Sequence, residues 1–364
     1  MNTSALPMYV KETPTKLGKL LISANARKVH EGDVAVYIYD NYLVEASSKG
    51  KNYMPLDFEL KFGYQANPPS IYFEKESNKV SFELKSGGDL QQWREVLKNK
   101  LNQRGFHEQF KPLKKIGKGN FASVYLATKI ESGRNFAVKA FSKEAAYSED
   151  KGKECLIKEI EIMRALNHKN CMRLHEVFES ENSLYMVVEL LEGGLLHDKV
   201  KAKEKFKSHE TKEVIQSILS GLKEMHSKKA MHRDLKPENL IFREPGSFDL
   251  VIADFGLAEF SDAEEYLFVR CGTPGYVAPE VINIRDMKTK YDPICDMFSL
   301  GLIFHVLLLG KSAFPGKTYN EVLAQNRASN IPFEGPEYDA LNPNALNLLK
   351  RMLKKNPLER ISPN

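Results

Sequence analysis

MHRDLKPEN at 231–239, ADFG at 253–256 and APE at 278–280 form the stretch of this sequence that decides the fold. Each short string is common by itself, but all three in this order and at this spacing are very hard to obtain by chance. They bring two aspartates, a lysine and an asparagine together, which are side chains that transfer protons and coordinate divalent cations. The stretch therefore predicts the catalytic half of an enzyme active site.

Outward from this stretch, the sequence resembles the protein kinases from about Phe110 to the last residue. The resemblance implies an α+β fold with two lobes, a small lobe at 110–188, a hinge at 189–194 and a large lobe at 195–364. The family leads us to expect at least one more helix after Ile361, so the large lobe is expected to be C-terminally truncated. The implied activity is transfer of the γ-phosphate of Mg²⁺-bound ATP to a protein hydroxyl.

Two features of the sequence indicate which hydroxyl is the acceptor. Lys236 is followed by Pro-Glu-Asn, and Thr273 stands in a CGTP string, and both features resemble the serine/threonine kinases. The segments at 154–168 and 349–360 most resemble the calcium/calmodulin-dependent kinase group. The expected substrates are therefore serine and threonine side chains of proteins.

The resemblance assigns a role to each polar side chain of the catalytic half. Asp234 is the expected base, which orients the substrate hydroxyl and accepts its proton, and Lys236 is expected to neutralise charge on the γ-phosphoryl group. Asn239 and Asp254 are the expected Mg²⁺ ligands. Thr273 is expected to bridge the base and the lysine. Positioning and electrostatics carry the rate in such a site.

The nucleotide is expected to bind mainly to residues upstream of the catalytic half. The string at 115–125 resembles the glycine-rich loop, whose backbone N–H groups approach the phosphates, with Ala122 in place of a third glycine. Lys139 matches the strand lysine that contacts the α- and β-phosphates, and Glu159 is its expected partner on a helix. Val188 falls at the gatekeeper position. The predicted ATP-binding residues are Ile116, Gly117, Lys118, Gly119, Asn120, Phe121, Ala122, Val124, Ala137, Lys139, Glu189, Leu191 and Asp254.

The loop after the ADFG string departs from the common regulatory pattern. Many kinases carry a phosphorylatable threonine where this chain has Val269, and a basic residue where it has Glu259. Arg233 therefore lacks an obvious phosphate to bind, and we expect Glu259, or the acidic pair at 264–265, to supply a permanent negative charge. An ordinary solvated acidic loop is the alternative. The remaining hydroxyl candidates are Ser261 and Tyr266.

The first hundred residues follow a different pattern. Six short runs rich in β-branched and aromatic residues predict strands, and turn signals at 40–41 and 77–78 separate two pairs of them. Trp93 and Leu97 then belong to a helical repeat that starts near Ser86. The predicted strands are 17–23, 34–39, 42–47, 58–63, 71–76 and 80–85.

Antiparallel strands closed by one C-terminal helix make residues 1–105 resemble a pleckstrin-homology domain, a small β-barrel or sandwich. An unclassified β domain is the alternative, and in either case Trp93 covers the open end of the sheet. Gly32, Asp33 and Val34 lie where phosphoinositide-binding members carry basic residues, so the signature for specific headgroup binding is poor. We expect weak contact with an anionic membrane at most, or contact with protein. The basic residues available for membrane contact are Lys19, Arg27, Lys28, Lys49 and Lys51.

Length and composition limit the number of domains, the classes of partner and the cellular location. The 364 residues suit two domains or one two-lobed unit, and almost no linker remains at 104–110, which predicts a fixed or narrowly hinged arrangement. The net charge of +5 does not argue for nucleic acid, and none is expected as a partner. Four cysteines without a C-x-x-C pair, and no apolar signal segment, favour a cytoplasmic location with peripheral membrane attachment at most. A calmodulin-binding tail, if the protein has one, is expected outside these residues.

Two other functions stay open. The first alternative to an active enzyme is a catalytically weak scaffold that binds ATP or partners. The second is an adaptor that acts through residues 1–105. Scaffolds of this kind usually lack the strand lysine, the base or the metal-binding aspartate, whereas Lys139, Asp234 and Asp254 are all present. The residues therefore favour an active kinase, with a mild preference for basic substrates because of Glu238.

Overall fold

A computed structural model of the chain divides into two compact units. Unit 1 combines residues 1–148 with 174–190, and unit 2 combines 149–173 with 191–364. The residues that the structure describes are 8–10, 12–119, 122–202 and 206–363.

Strands dominate unit 1, and most helices lie in unit 2. The strands are β1 (Leu20–Lys28), β2 (Gly32–Tyr39), β3 (Tyr42–Ser47), β4 (Gly50–Pro55), β5 (Lys61–Gln65), β6 (Ser70–Lys75), β7 (Asn78–Glu83), β8 (Asn102–Gln103), β9 (Phe110–Lys118), β10 (Ala122–Lys129), β11 (Asn135–Ser142), β12 (Leu174–Glu179), β13 (Ser183–Val188), β14 (Ala230–Met231), β15 (Leu240–Phe242), β16 (Leu250–Ile252) and β17 (Glu259–Phe260). The helices are α1 (Gly87–Leu97), α2 (Phe106–Gln109), α3 (Lys143–Tyr147), α4 (Gly152–Ala165), α5 (Leu196–Ala202), α6 (Ser208–Ser227), α7 (Pro279–Ile282), α8 (Cys295–Leu309), α9 (Tyr319–Ala328), α10 (Pro336–Asp339) and α11 (Pro343–Met352). Single 3₁₀ turns span Pro237–Asn239 and Pro357–Glu359.

Within the described part of unit 1, thirteen strands form one sheet in the order β4-β3-β2-β1-β7-β6-β5-β8-β12-β13-β11-β10-β9. The pairs that strands β1 to β7 form with one another are antiparallel, and the ladder between β1 and β7 involves Arg27 and Lys28. Alternate residues of β2, namely Val34, Val36 and Ile38, are buried. This alternation is typical of an antiparallel sheet with one face on a core. The N-terminal region is therefore β-rich.

Helix α1 confirms the helical repeat predicted from the sequence. The Ser86 hydroxyl accepts a hydrogen bond from the backbone N–H of Asp89 at 3.1 Å and caps the helix. Leu90, Trp93 and Leu97 share one face and are buried in the core of the N-terminal strands. Complete burial of a large apolar side chain contributes about 2–3 kcal/mol, which fixes this helix on the sheet.

Strand β4 is not predicted by the sequence. Its residues, GKNYMP, include a proline and mostly exposed polar side chains, so they lack the apolar alternation of a strand. The segment is the end strand of the sheet, paired with β3 and bridged at Tyr53 by Val10, and polar residues and proline are common at sheet edges. Strand β1 also begins later than expected and runs on through Lys28.

The burial of Lys28 corrects its assignment to a basic surface. Its side chain is 6% exposed, and its ammonium nitrogen lies 3.0 Å from Glu45 and 2.9 Å from Glu31. The hydroxyl of Tyr9 donates to the same Glu45 carboxylate at 2.8 Å. A buried ammonium group needs such partners, and it is not available to an anionic membrane.

Strand β8 joins the N-terminal strands to those of the kinase-like region. Its two residues pair in parallel with β5 on one side and with β12 on the other. The amide of Asn102 donates to Glu179 at 2.8 Å, and that of Gln103 donates to Glu176 at 2.9 Å. All four side chains are buried. The strands before and after the predicted domain boundary are therefore joined by hydrogen bonds through β8 within unit 1.

The short α2 helix occupies the predicted junction at 104–110. Its Phe106 is buried and stacks on Tyr185 of β13, with ring centroids 4.1 Å apart. Phe110, at the start of β9, stacks on Phe106 at 5.7 Å. These rings belong to a second core that includes Phe178 and Val187, so the junction is a packed segment of unit 1.

Unit 2 is built around the apolar helix α8, which confirms the buried helix predicted near 300–309. Two polar residues of α8, Asp296 and His305, are buried with it. Arg360 forms a bidentate ion pair with Glu280, whose Oε2 lies 2.9 Å from Nη2. Among the described residues, no helix is both long and apolar enough to cross a membrane.

Candidate active site

A buried carboxylate holds the backbone of the catalytic loop. Asp296 accepts hydrogen bonds from the backbone N–H groups of His232 and Arg233, both at 2.9 Å, and His226 donates to it at 3.1 Å. Burial by itself raises the pKa of Asp296. The hydrogen bond and charge of His226, the charge of His232 and the hydrogen bond from the Arg233 N–H together lower it by more, so the pKa of Asp296 lies below its usual value. Arg233 has a φ of 67°, which is unfavourable for a residue with a side chain. The ionised Asp296 therefore stabilises a strained loop.

Asp234, Lys236 and Thr273 form a closed triangle of polar contacts. The Thr273 hydroxyl donates to Oδ1 of Asp234 at 2.6 Å and accepts from Nζ of Lys236 at 2.7 Å. The same Nζ lies 2.8 Å from Oδ2 of Asp234. The side chains of Asp234 and Lys236 remain 12% and 20% exposed, so both can meet a substrate. The structure thus has the threonine bridge that the resemblance implies.

A β-hairpin brings the two expected metal ligands together. Asn239 precedes β15 and Asp254 follows β16, and the N–H of Ala253 donates to the carbonyl of Asn239 at 2.9 Å. The Asn239 amide nitrogen donates to the carbonyl of Asp234 at 2.8 Å, so Oδ1 is the atom of Asn239 that can coordinate a cation. Asp254 is exposed. Two oxygen donors fit Mg²⁺, which proteins commonly hold through one or two side chains, substrate phosphates and water.

Glu159 lies beside the same hairpin end. It is buried on α4, which belongs to unit 2. A Cβ atom placed on Gly256 would lie 3.4 Å from Oδ1 of Asp254 and 4.0 Å from Oε2 of Glu159. Lys139 belongs to unit 1, and its ion pair with Glu159 stays a prediction.

The described residues of the glycine-rich string lie at the end of β9, at Gly119 and at the start of β10. The N–H of Gly119 donates to the carbonyl of Ala122 at 2.8 Å, and Val124 lies opposite Gly117 in the ladder. Ile116 is 45% exposed. Lys118 is exposed as well. The predicted residues Asn120 and Phe121 lie outside the described residues.

Lys139 lies in the middle of β11, on the strand next to the glycine-rich string. It is opposite Val124 of β10 and Met186 of β13, and its side chain is half-buried. Ala137, two residues earlier on the same face, lies opposite Val188 at the end of β13. The ladder therefore places these predicted nucleotide-binding residues on adjacent strands.

The protein kinase domain model matches residues 110–364, which is well over half of the chain. The chain belongs to the protein kinase family. Its catalytic triangle, its hairpin with Asn239 and Asp254, and its strand lysine all lie within the matched residues. The N-terminal 109 residues precede the match.

Known relatives of this kinase agree with the serine/threonine form of its catalytic loop. A probable serine/threonine-protein kinase of Dictyostelium discoideum, fhkC, is 32% identical over 285 residues, covering 78% of this chain and 47% of that protein. Calcium-dependent protein kinase 4 of Plasmodium falciparum is 34% identical over 259 residues, with coverage of 71% and 48%. A probable myosin light chain kinase of Dictyostelium discoideum is 34% identical over 250 residues, with coverage of 68% and 78%. The chain spans about half the length of the first two, and it belongs with the serine/threonine protein kinases.

The predicted hinge residues of this kinase divide between the two units. Glu189 belongs to unit 1 and Leu191 to unit 2, and both are half-buried. The N–H of Gly193 donates to the carbonyl of Phe242 at 3.0 Å. A Cβ atom on Gly193 would lie 2.5 Å from Cβ of Phe242, so only glycine fits there. Hydrogen bonds from Glu189 and Leu191 to adenine stay a prediction.

The partners of Arg233 correct one part of the expectation for Glu259, namely that this arginine would bind its charge. The Arg233 guanidinium donates to the backbone carbonyls of Leu257 at 2.7 Å and Phe268 at 2.6 Å. Glu259 is fully buried and faces Lys158, whose Nζ lies 3.5 Å from its carboxylate. The alternative of a solvated acidic loop is therefore wrong for Glu259, and the direct partner of its charge is Lys158.

Sequence reasoning missed Asp296 and His226 as residues that support the site. Neither belongs to the three diagnostic strings, and they are 70 residues apart. The available signal is the acidic residue in the first turn of a helix that is otherwise apolar. A buried carboxylate at that position needs several donors, and the catalytic loop supplies two of them.

Proposed function

We propose that this kinase transfers the γ-phosphate of Mg²⁺-bound ATP to serine and threonine hydroxyls of proteins. The observation that carries the proposal is the triangle of Asp234, Lys236 and Thr273 beside the hairpin that presents Asn239 and Asp254. These five side chains combine a base, a cation and two oxygen ligands for a metal. Such a set serves phosphoryl transfer, in which positioned charges stabilise the transition state.

Each side chain of the triangle has a distinct task in this mechanism. Asp234 orients the acceptor hydroxyl and takes its proton late in the transfer, while Thr273 and Asn239 hold its carboxylate in place. Lys236 brings positive charge to the γ-phosphoryl oxygens as the bond to the leaving oxygen breaks. Mg²⁺, held by Asn239 and Asp254, would offset the charge of the triphosphate.

For the nucleotide, we propose the residues that the sequence identifies. Backbone N–H groups of the glycine-rich string would contact the phosphates, and Lys139 would contact the α- and β-phosphates while paired with Glu159. Glu189 and Leu191 would bind the adenine edge through their backbones. The ladder that sets Lys139 opposite Val124 supports a shared nucleotide surface on β10 and β11.

Glu238 supports a mild preference for a basic residue near the acceptor. Its side chain is 42% exposed, and its Oε1 lies 3.2 Å from Nδ1 of His197 on α5. An exposed carboxylate next to the catalytic loop can attract a substrate Lys or Arg.

For residues 1–105 we propose a pleckstrin-homology-like fold whose main contacts are with protein. The antiparallel strands β1 to β7, followed by α1 with its buried Trp93, support this proposal. The burial of Lys28 weakens the case for membrane binding. The alternative role as a membrane adaptor predicts that the chain sediments with phosphatidylserine vesicles at low salt.

Phosphate transfer from γ-labelled ATP to a mixed peptide library tests the enzymatic proposal. The wild-type chain should label Ser and Thr peptides only with Mg²⁺, and Asp234→Asn should lower kcat by about two to four orders of magnitude because the base is lost. Asp286→Asn, an exposed aspartate of unit 2, is the matched control and should keep wild-type activity. A wild-type chain that binds ATP but transfers no phosphate would instead identify a scaffold.

A further inference from the structure

The loop that follows Asp254 contains few groups that could be phosphorylated. We call residues 254–280 the activation segment. Ahead of Thr273 its only hydroxyl side chains are Ser261 and Tyr266. Tyr266 is 7% exposed, and its hydroxyl donates to the backbone carbonyl of Tyr291 at 2.9 Å. Tyr266 is therefore inaccessible to a modifying enzyme, and Ser261 is the remaining candidate.

A buried carboxylate lies where this segment turns. Glu259 has no exposed surface, and it pairs opposite Met231 in the short β14–β17 ladder. Its two carboxylate oxygens accept hydrogen bonds from the N–H groups of Phe260 at 3.1 Å and Leu267 at 3.3 Å. A buried negative charge is stable only with such partners, and the remaining partner is the ammonium of Lys158 at 3.5 Å. Glu259 thus ties both ends of the turn together.

The same turn is bound to helix α4 at two points. Lys158 reaches Glu259 from the middle of α4, and Lys151, just before the helix, donates to the carbonyl of Leu267 at 2.9 Å. Lys158 directly precedes Glu159 on the helix, so holding Lys158 fixes the rotation of α4 about its axis. That rotation sets the buried Glu159 carboxylate beside Gly256.

The arginine next to the catalytic base is already occupied by neutral acceptors. Arg233 is 6% exposed, and it donates to the carbonyls of Leu257 and Phe268 and to the hydroxyl of Tyr291 at 3.1 Å. The Arg233 guanidinium therefore binds both the start of the turn, at Leu257, and its end, at Phe268. A phosphate would have to displace them to reach Arg233.

We propose that Glu259 takes the place of an activating phosphate in this kinase. Its permanent charge, paired with Lys158, holds the activation segment and α4 in the catalytic arrangement without covalent modification. Lys158 and Glu259 are then positioning residues that act through Glu159. The inference rests on the proposed kinase activity and adds to it the way in which the site is regulated.

The test compares phosphate-free and untreated enzyme, and then variants of the pair. Phosphatase-treated chain, shown by intact mass to carry no phosphate, should have the same kcat as untreated chain, and Ser261→Ala should leave it unchanged. Lys158→Met and Glu259→Gln should lower kcat about tenfold or more, with KM for peptide changed far less, because the active arrangement is less populated. Lys158→Arg keeps the charge and should restore most of the activity.

Glu161→Gln is the matched control, because Glu161 is the exposed carboxylate that also contacts Lys158, at 3.2 Å. It should behave as wild type. If Glu259→Gln fails to fold, the contrast between Lys158→Met and Lys158→Arg decides, since Lys158 is partly exposed. Activity that vanishes after phosphatase treatment or in Ser261→Ala, or a fully active Lys158→Met, overturns the inference while the kinase function stands. A wild-type chain as inactive as Asp234→Asn overturns the function itself and this inference with it.

Discussion

At the residue scale, the Thr273 hydroxyl joins the two charged side chains of the catalytic loop. It donates to Asp234 and accepts from Lys236, with both distances at or below 2.7 Å. Hydrogen bonds to charged groups are worth about 1.5–3 kcal/mol each, which exceeds the thermal energy that would let either side chain rotate away. The hydroxyl therefore keeps the Asp234 carboxylate and the Lys236 ammonium group at a fixed separation.

Removal of this hydroxyl is expected to slow the chemical step. Thr273→Ala should lower kcat by about one to two orders of magnitude while KM for ATP changes within about threefold, because the base loses orientation but the nucleotide contacts remain. Thr273→Ser keeps the hydroxyl and should recover most of kcat. Steady-state kinetics of both variants check this, and an alanine variant with wild-type kcat would contradict the bridging role.

At the element scale, helix α8 carries an aspartate and a histidine into apolar surroundings. Asp296 at its start is held ionised by the catalytic loop. Near its end, His305 donates from Nδ1 to the Lys311 carbonyl at 3.0 Å, and Nε2 accepts from the Tyr338 hydroxyl at 2.9 Å. Burial lowers the pKa of His305, and the nearby Lys311 charge lowers it further, against the opposing effects of the Lys311 carbonyl and Glu337. His305 is therefore neutral in the folded protein.

This makes the stability of unit 2 depend on pH. The unfolded chain has a His305 pKa of about 6.5 and the folded chain a lower one, so the unfolded state binds more protons as pH falls below about 6.5. The free energy of unfolding should therefore fall as pH drops from 7 to 5.5, because protonation of His305 favours the unfolded chain. Urea unfolding of His305→Gln should show a smaller drop than wild type, whereas His209→Gln, at an exposed histidine, should match wild type. Equal pH dependence in all three proteins would contradict the assignment.

At the scale of the whole molecule, the N-terminal strands and the strands that carry the predicted nucleotide-binding residues share one sheet through β8. The buried carboxylates of Glu176 and Glu179 bind the amides of β8, and they also pair with Lys129 at 2.6 Å and Lys143 at 2.7 Å. Breaking a buried polar network of this kind is costly because each orphaned group loses its partners. The N-terminal strands and strands β9 to β13 should therefore respond to a ligand as one body.

Trp93, the only tryptophan, reports directly on this coupling. A non-hydrolysable ATP analogue with Mg²⁺ at about 100 times its Kd adds about 2.7 kcal/mol to the structure that binds it, so the unfolding midpoint of Trp93 fluorescence should rise. In the double variant Asn102→Ala with Gln103→Ala, that rise should shrink. Asn99→Ala, at an exposed residue of the same segment, is the control. If the unfolding midpoint of Trp93 fluorescence in the wild type does not change when the analogue binds, the N-terminal strands unfold separately from strands β9 to β13.

The local sequence pattern was sufficient to predict the features that depend only on residues close together in the chain. The loops with Asp234 and Asp254 are recognisable because residue type and spacing within a few positions specify their chemistry. Helix α1 was predictable because burying Trp93 and Leu97 on one face imposes a helical repeat. The polar edge strand β4 shows the limit, since its pairing with β3 leaves no apolar alternation in its own residues.

The sequence by itself therefore determined the kinase family, the candidate catalytic and nucleotide-binding residues and the β-rich character of the N-terminal region. Only the tertiary structure decided which charges are buried and which partner each one meets. Lys28 faces Glu45, and Glu259 faces Lys158 about a hundred residues away. The physical reason is that a charge is stable in a low-dielectric interior only beside its counter-charge, and packing of distant segments creates both the interior and the pairing.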